Sequence, residues 1–255
     1  MLDKLTTYYE NNGISAKSFV NKRLKCKHFD QCNVKKPFTP AKEAFVSTGY
    51  EEHKIPRLLI VSLDPKYSPF YEKVENRTLA TIRRNEELSP AENYNEMGKN
   101  THWRKTFDMV FVLLRDFINT RNRDEVRHYF AHTNSAKCHD KKGSTQASEY
   151  LFSNCSEYLP GEIKILNPDI IVTQGQEKKF NFMKIFEHDS DWSLPELYFD
   201  LPKVKPININ NHKAIWITTA HPNRQDRTFK DEDEANFIRY GKLISELWKT
   251  KQFQQ

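Results

Sequence analysis

The sequence predicts an α/β fold: one domain over residues 1–255, with a central, mostly parallel four-stranded sheet flanked by helices. Three observations carry this reading. Short apolar runs without alternation recur along the chain, as in strands covered on both faces. Between them lie longer stretches with apolar residues at three- and four-residue spacing, the helical period. Only seven Gly occur in 255 residues, too few for a fold of many glycine turns. That length suffices for one large core, and no repeat or linker divides it.

Taken in order, residues 57–63 (RLLIVSL) read as the first strand and end at Asp64 and Pro65. Residues 74–101 are polar, with Pro90 in the middle, and read as a solvent-facing insertion or a mobile lid. Residues 103–119 (WRKTFDMVFVLLRDFIN) have the spacing of an amphipathic helix. Residues 128–134 (HYFAHTN) are the next strand, ending at Asn134. Residues 147–166 form a helix that Pro160 and Gly161 kink or break. Residues 169–173 (DIIVT) are a strand ending at Gln174 and Gly175, and residues 214–219 (AIWITT) another, running into His221 and Pro222. The last helix, 231–249, opens on acidic residues that suit its positive end. In parallel sheets ligands bind beyond the carboxyl ends of the strands. Asp64, Asn134, Gly175 and His221 all fall there.

A formal charge of +6 and a pI of about 9.0 suit a polyanionic partner, because Lys and Arg that neutralise phosphates release counterions. No apolar run is long enough to span a bilayer and no signal peptide is evident, so the expectation is a cytoplasmic protein. In that compartment four cysteines read as metal ligands or free thiols rather than disulfides. Cys26 and Cys32 enclose five residues, and Cys138 and Cys155 enclose sixteen. Four thiolates satisfy either zinc or an iron–sulfur cluster, and four unrelated buried thiols fit the spacing as well.

The stretch HTNSAKCHDKKGSTQASEYLFSNCSEYLPGEIKILNPDIIVTQGQ, residues 132–176, resembles the iron–sulfur branch of the uracil-DNA glycosylase superfamily. Its matching residues are Asn134, Lys137, Cys138, Cys155, Tyr158, Leu159, Pro168 and Gly175. Two further motifs follow the family's order. IVSLDPKYSP at 60–69 resembles the water-activating loop, and TTAHPNR at 218–224 resembles the His-Pro-Ser loop. The resemblance implies a 4Fe–4S cluster on Cys26, Cys32, Cys138 and Cys155, mainly structural, with zinc as the lesser alternative. It also implies a monomeric, DNA-binding hydrolase of base excision that breaks an N-glycosidic bond and leaves an abasic site. The family's Gly-x-Pro-Phe-x-Gly segment, which shapes the uracil pocket, has no counterpart here. That departure points from uracil towards a modified base, such as a modified cytosine of phage DNA, and so towards antiviral defence.

The chemistry assigns roles to particular residues. As the bond breaks, positive charge grows on the sugar and negative charge on the departing base. Asp64 suits the sugar side, stabilising the cation and orienting water. His221 suits the base side, as a neutral imidazole donating to a base oxygen. The Asn134 amide offers a donor and an acceptor to a base edge, and Tyr67, Phe70 or Trp103 offers a stacking ring. Lys66, Arg224, Gln225 and Arg227 are candidates for DNA contact, with Arg224 as a wedge in the vacated space. Arg83, Arg84, Lys141 and Lys142 are further phosphate candidates. The alternative is a glycosylase-like protein that binds DNA without turnover or traps it covalently through His221.

Overall fold

In a computed structural model of the protein, the described residues are 1–33, 39–65, 73–90, 92–98, 101–140, 146–187, 192–222 and 231–254. Four of their strands are those the apolar runs predict. They are β2 (Leu58–Ser62), β3 (Phe130–Asn134), β4 (Ile170–Gln174) and β6 (His212–Thr219), all mutually parallel where they pair. Every residue of β2, β3 and β4 is buried, which explains why these runs show no alternation.

The sheet is nevertheless six-stranded and mixed among the described residues, not four-stranded. Its order is β1-β3-β2-β4-β6-β5, with β1 (Phe45–Val46) and β5 (Val204–Ile209) antiparallel at the two edges. Neither edge strand has a strong sequence signature. β1 is two residues long, and β5 contains Pro206, which sequence rules assign to edges and loops. β5 and β6 join through Asn210 and Asn211, both at positive φ (53° and 64°), the conformation a two-residue hairpin turn demands.

Helices cover both faces. Leu58, Ile60, Phe130, Val172 and Ile217 pack under α2 (His102–Leu114) and α5 (Asp231–Lys249). Leu59, Val61, Ala131, Ile171 and Trp216 pack under α1 (Leu2–Asn11) and α4 (Leu159–Leu166). The expected 147–166 helix is two: α3 (Glu149–Cys155) ends three residues before α4. The break lies upstream of Pro160, which occupies the first turn of α4, where a missing N–H costs nothing.

The described part of the 74–101 stretch is exposed at Arg84, Leu88, Ser89 and most of 92–98, but it also sends side chains inward. Leu79, Ile82 and Met97 join the main core. Glu87 is buried and its carboxylate accepts the Thr48 N–H at 2.9 and 3.1 Å, while Leu79 N–H donates to the buried Glu43 carboxylate at 2.7 Å. The polar letters conceal an apolar pair three residues apart, and several of the charges are fastened to backbone groups. No helix among the described residues is long and apolar enough to cross a membrane.

Candidate functional site

The parallel strands bring their last inward-facing residues to one edge. Ser62 and Asn134 are register partners across β2 and β3, and Gln174 ends β4 next door. Position alternates along a strand, so these three share the face that carries Ile60, His132 and Val172. The first turn of α2, capped by the Thr101 side chain, lies over the same edge and adds His102 and Thr106.

A hydrogen-bond chain joins them. The Ser62 hydroxyl donates to Gln174 Oε1 at 2.8 Å, and Gln174 Nε2 donates to Thr106 Oγ1 at 3.1 Å. With its proton so used, Ser62 Oγ accepts from His132 Nε2 at 2.9 Å and His102 Nε2 at 3.2 Å. Both imidazoles then carry their proton on Nε2. Burial, then His221, then the Lys42 ammonium pull His102 down to about 3. Burial, followed by Lys42, His102 and Lys137, takes His132 well below the ordinary imidazole value. Both rings are neutral at neutral pH. His132 Nδ1 and Asn134 Nδ2 are buried without a hydrogen-bond partner among the described residues, an acceptor and a donor two positions apart on β3.

His221 follows β6 and its ring lies 5.4 Å from that of His102, inclined at 47°. Asp64 follows β2, on the same sheet edge. The two parent strands are separated by β4 alone, roughly 10 Å at two strand spacings. The Asp64 side chain is almost fully buried; Oδ2 accepts the Ala147 N–H at 3.2 Å and Oδ1 lies 3.4 Å from His139 Nε2. Its carboxylate therefore faces the segment that carries the second cysteine pair. Trp103 packs against Phe107, Phe130 and His132. Arg83, a phosphate candidate by sequence, is instead engaged with Glu51, Glu87 and Thr48. Arg84 is exposed. Lys66, Tyr67, Phe70, Lys141, Lys142, Arg224, Gln225 and Arg227 lie outside the described residues.

Sequence reasoning missed Ser62, His102, His132, Gln174 and Lys42. The signal for Ser62, His132 and Gln174 was available: each stands on the face of a predicted strand that alternation shares with Asn134 or its register partners. His102 and Lys42 had none, because only the tertiary fold brings a helix start and a loop to that edge.

A second constellation lies on the other side of Asp64. Cys26, Cys32, Cys138 and Cys155 line one small pocket, walled by Leu24, Phe29 and Leu151. All four are free thiols. Donors surround the sulfurs: Lys137 N–H reaches Cys155 Sγ at 3.4 Å, Asn154 Nδ2 reaches Cys32 Sγ at 3.2 Å, and His28 N–H reaches Cys26 Sγ at 3.4 Å. The Tyr158 hydroxyl lies 3.2 Å from Cys26 Sγ. Burial pushes Cys155 up to about 12 and Cys138 well above the ordinary thiol value, so four bare thiolates would not share this cavity without a cation. Among the described residues no three His, Cys, Asp or Glu converge closely enough for a single ion. A 4Fe–4S cluster asks for less, since each thiolate takes a different iron. Four thiols with N–H donors beside three of the sulfurs form a ligand set that suits a thiolate-bound metal centre of either kind.

No family model matches the chain, and no curated protein matches it.

Proposed function

We propose that this chain is a monofunctional DNA glycosylase that hydrolyses the N-glycosidic bond of an extruded nucleotide and leaves an abasic site. The observation that carries the reading is the gathering of neutral His102 and His132, with His221, Asn134 and Gln174, at the carboxyl ends of the parallel strands of a mixed sheet that also bears Asp64. The donor that this cluster leaves for a departing base anion is the Asn134 amide, whose Nδ2 is buried without a partner among the described residues. The carbon–nitrogen bond breaks with its electron pair leaving on the base. Water attacks the sugar carbon, and its proton passes to the Asp64 carboxylate or to solvent. A base extruded from the duplex costs a few kcal/mol, which the pocket must recover by hydrogen bonding and stacking. Uracil or a modified base, such as a modified cytosine of phage DNA, is the substrate in this reading, and defence or repair in the cytoplasm the setting.

Cys26, Cys32, Cys138 and Cys155 would hold a 4Fe–4S cluster. Held by these four residues, such a cluster would join the N-terminal segment to the 138–155 segment, a structural role.

One observation favours a second reading, in which a glycosylase-like protein binds DNA without turnover: the Asp64 carboxylate is tied to Ala147 and His139. Incubation with uracil-containing, ordinary and modified-cytosine DNA, followed by alkaline cleavage of abasic sites, separates the two. Release of a base from at least one DNA supports the enzyme; tight binding with no abasic site in any of them supports the binder. Iron, sulfide and zinc analysis of protein purified without oxygen tests the cofactor.

A further inference from the structure

The first turn of α2 touches three strand ends at once. His102 is held by Ser62 at the end of β2, and Thr106 holds Gln174 at the end of β4. Lys105, between them in the turn, donates from Nζ to the Pro222 carbonyl at 2.8 Å. Pro222 directly follows His221, whose ring meets that of His102. His102 and Lys105 are three residues apart, so they project from the same side of the helix. The turn after β6 is thus gripped at two adjacent points by one rigid element: a ring contact on His221 and a charge-assisted hydrogen bond on the next peptide carbonyl. At its start the same turn is tied to the sheet, where the Thr219 hydroxyl donates to Thr173 O at 3.1 Å.

We infer that His102 and Lys105 are positioning residues that fix the His221 imidazole over the sheet edge. The inference rests on the reading that His221 stabilises the departing base, and it adds a specific role to a helix that otherwise belongs to the core. Lys105 acts through the backbone of Pro222. His102 acts through its ring, itself locked by Ser62.

The test uses the full chain, with Lys105→Met, Lys105→Arg and His102→Asn variants. The histidine ring signals are followed by NMR, DNA affinity by anisotropy and base release by single-turnover kinetics at saturating DNA. The expected result for Lys105→Met is a shifted and broadened His221 signal, an unchanged DNA affinity, and a rate reduced by about 10- to 100-fold, the scale of a displacement near an ångström. Lys105→Arg, which keeps the donor, restores both signal and rate. His102→Asn moves the His221 signal with the lysine intact. An unmoved His221 signal in both Lys105→Met and His102→Asn overturns the inference. So does a loss of DNA affinity that accounts for the whole loss of rate, which would make Lys105 a phosphate contact. If the unaltered protein releases no base from any DNA, the glycosylase reading fails, while the ring signals still decide whether the turn is gripped. Should Lys105→Met not fold, Lys105→Arg and His102→Asn carry the same comparison.

Discussion

Asp64 Oδ1 lies 3.4 Å from His139 Nε2, which joins the end of β2 to the residue immediately after Cys138. The two residues are buried together, and Ala147 N–H completes the seat of the carboxylate. The proposed reaction centre and the thiol centre are therefore neighbours through a single side chain.

Replacing Asp64 separates catalysis from fold. Asp64→Asn keeps an oxygen to accept the Ala147 N–H but removes the negative charge. Base release is expected to fall by about 10²- to 10⁴-fold, the usual range for a lost acid–base group, with little change in thermal stability. Single-turnover release measured beside Tm checks both halves. A rate unaffected by the substitution removes Asp64 from the chemistry.

The buried pair Lys137–Glu162 makes a second prediction. Lys137 Nζ contacts Glu162 and donates to Thr133 Oγ1 at 2.6 Å, while Glu162 Oε1 accepts from Thr133 at 2.6 Å and from the Tyr9 hydroxyl at 2.8 Å. Glu162→Gln leaves an ammonium in the core without its counter-charge and is expected to cost about 3 kcal/mol. Lys137→Met combined with Glu162→Leu is expected to recover most of that loss, because removing both charges also removes their desolvation. Urea unfolding of the single and double variants decides it.

At the opposite edge of the sheet, Asp169 gives the fold a defined acid limit. The carboxylate accepts from His212 Nε2 at 2.8 Å, His53 Nε2 at 2.9 Å and Arg57 N–H at 2.6 Å. Burial alone would raise its pKa, but these donors outweigh burial and the net shift is downward. A carboxyl lowered on folding contributes stability above its unfolded value, about 3.9, and loses it as pH falls through the lower folded value. Asp169→Asn should therefore lie about 2 kcal/mol below the parent near neutrality, the scale of hydrogen bonds to a charged group. The gap should close as pH falls below about 4. Tm curves for the two proteins that stay parallel down to the acid limit would refute the assignment.

Gly175 is required by conformation, and a Cβ there would also press on a neighbouring side chain. Its φ is +150°, and a Cβ there would meet Leu63 Cδ2 at 2.7 Å. Leu63 precedes Asp64 and its carbonyl accepts the Ala136 N–H at 2.8 Å. Gly175→Ala is expected to cost about 2 kcal/mol through strain and to slow base release by displacing the Asp64 turn. Denaturant unfolding and the release assay report the two effects separately.

Much of this arrangement is legible in the letters. RLLIVSL, DIIVT and AIWITT have no polar alternation because helices cover both of their faces, and that pattern alone places Asp64 and His221 on one edge. The edge strands are not legible. Phe45–Val46 is too short to have a period, and Val204–Ile209 contains a proline that reads as a breaker until β6 is beside it. Half of the candidate site was hidden for the same kind of reason. His102 looks like the polar start of a core helix, and the meeting with Ser62 depends on where α2 crosses the sheet. Within the polar stretch 74–101, Glu87 accepts from a distant helix start and Leu79 and Ile82 face inward, relationships that no local window contains.

The two flanks of the sheet also bear on what happens when many copies are made together. An exposed strand with a full row of amide donors is a template on which unfolded chains add and aggregates grow. Here one flank offers two residues of strand and the other is interrupted by Pro206, which has no amide hydrogen, while Lys205 beside it is paired with Glu177 and Glu187. Both sides are poor templates, and the irregularities that obscured these strands in the sequence guard the protein against polymerising with itself.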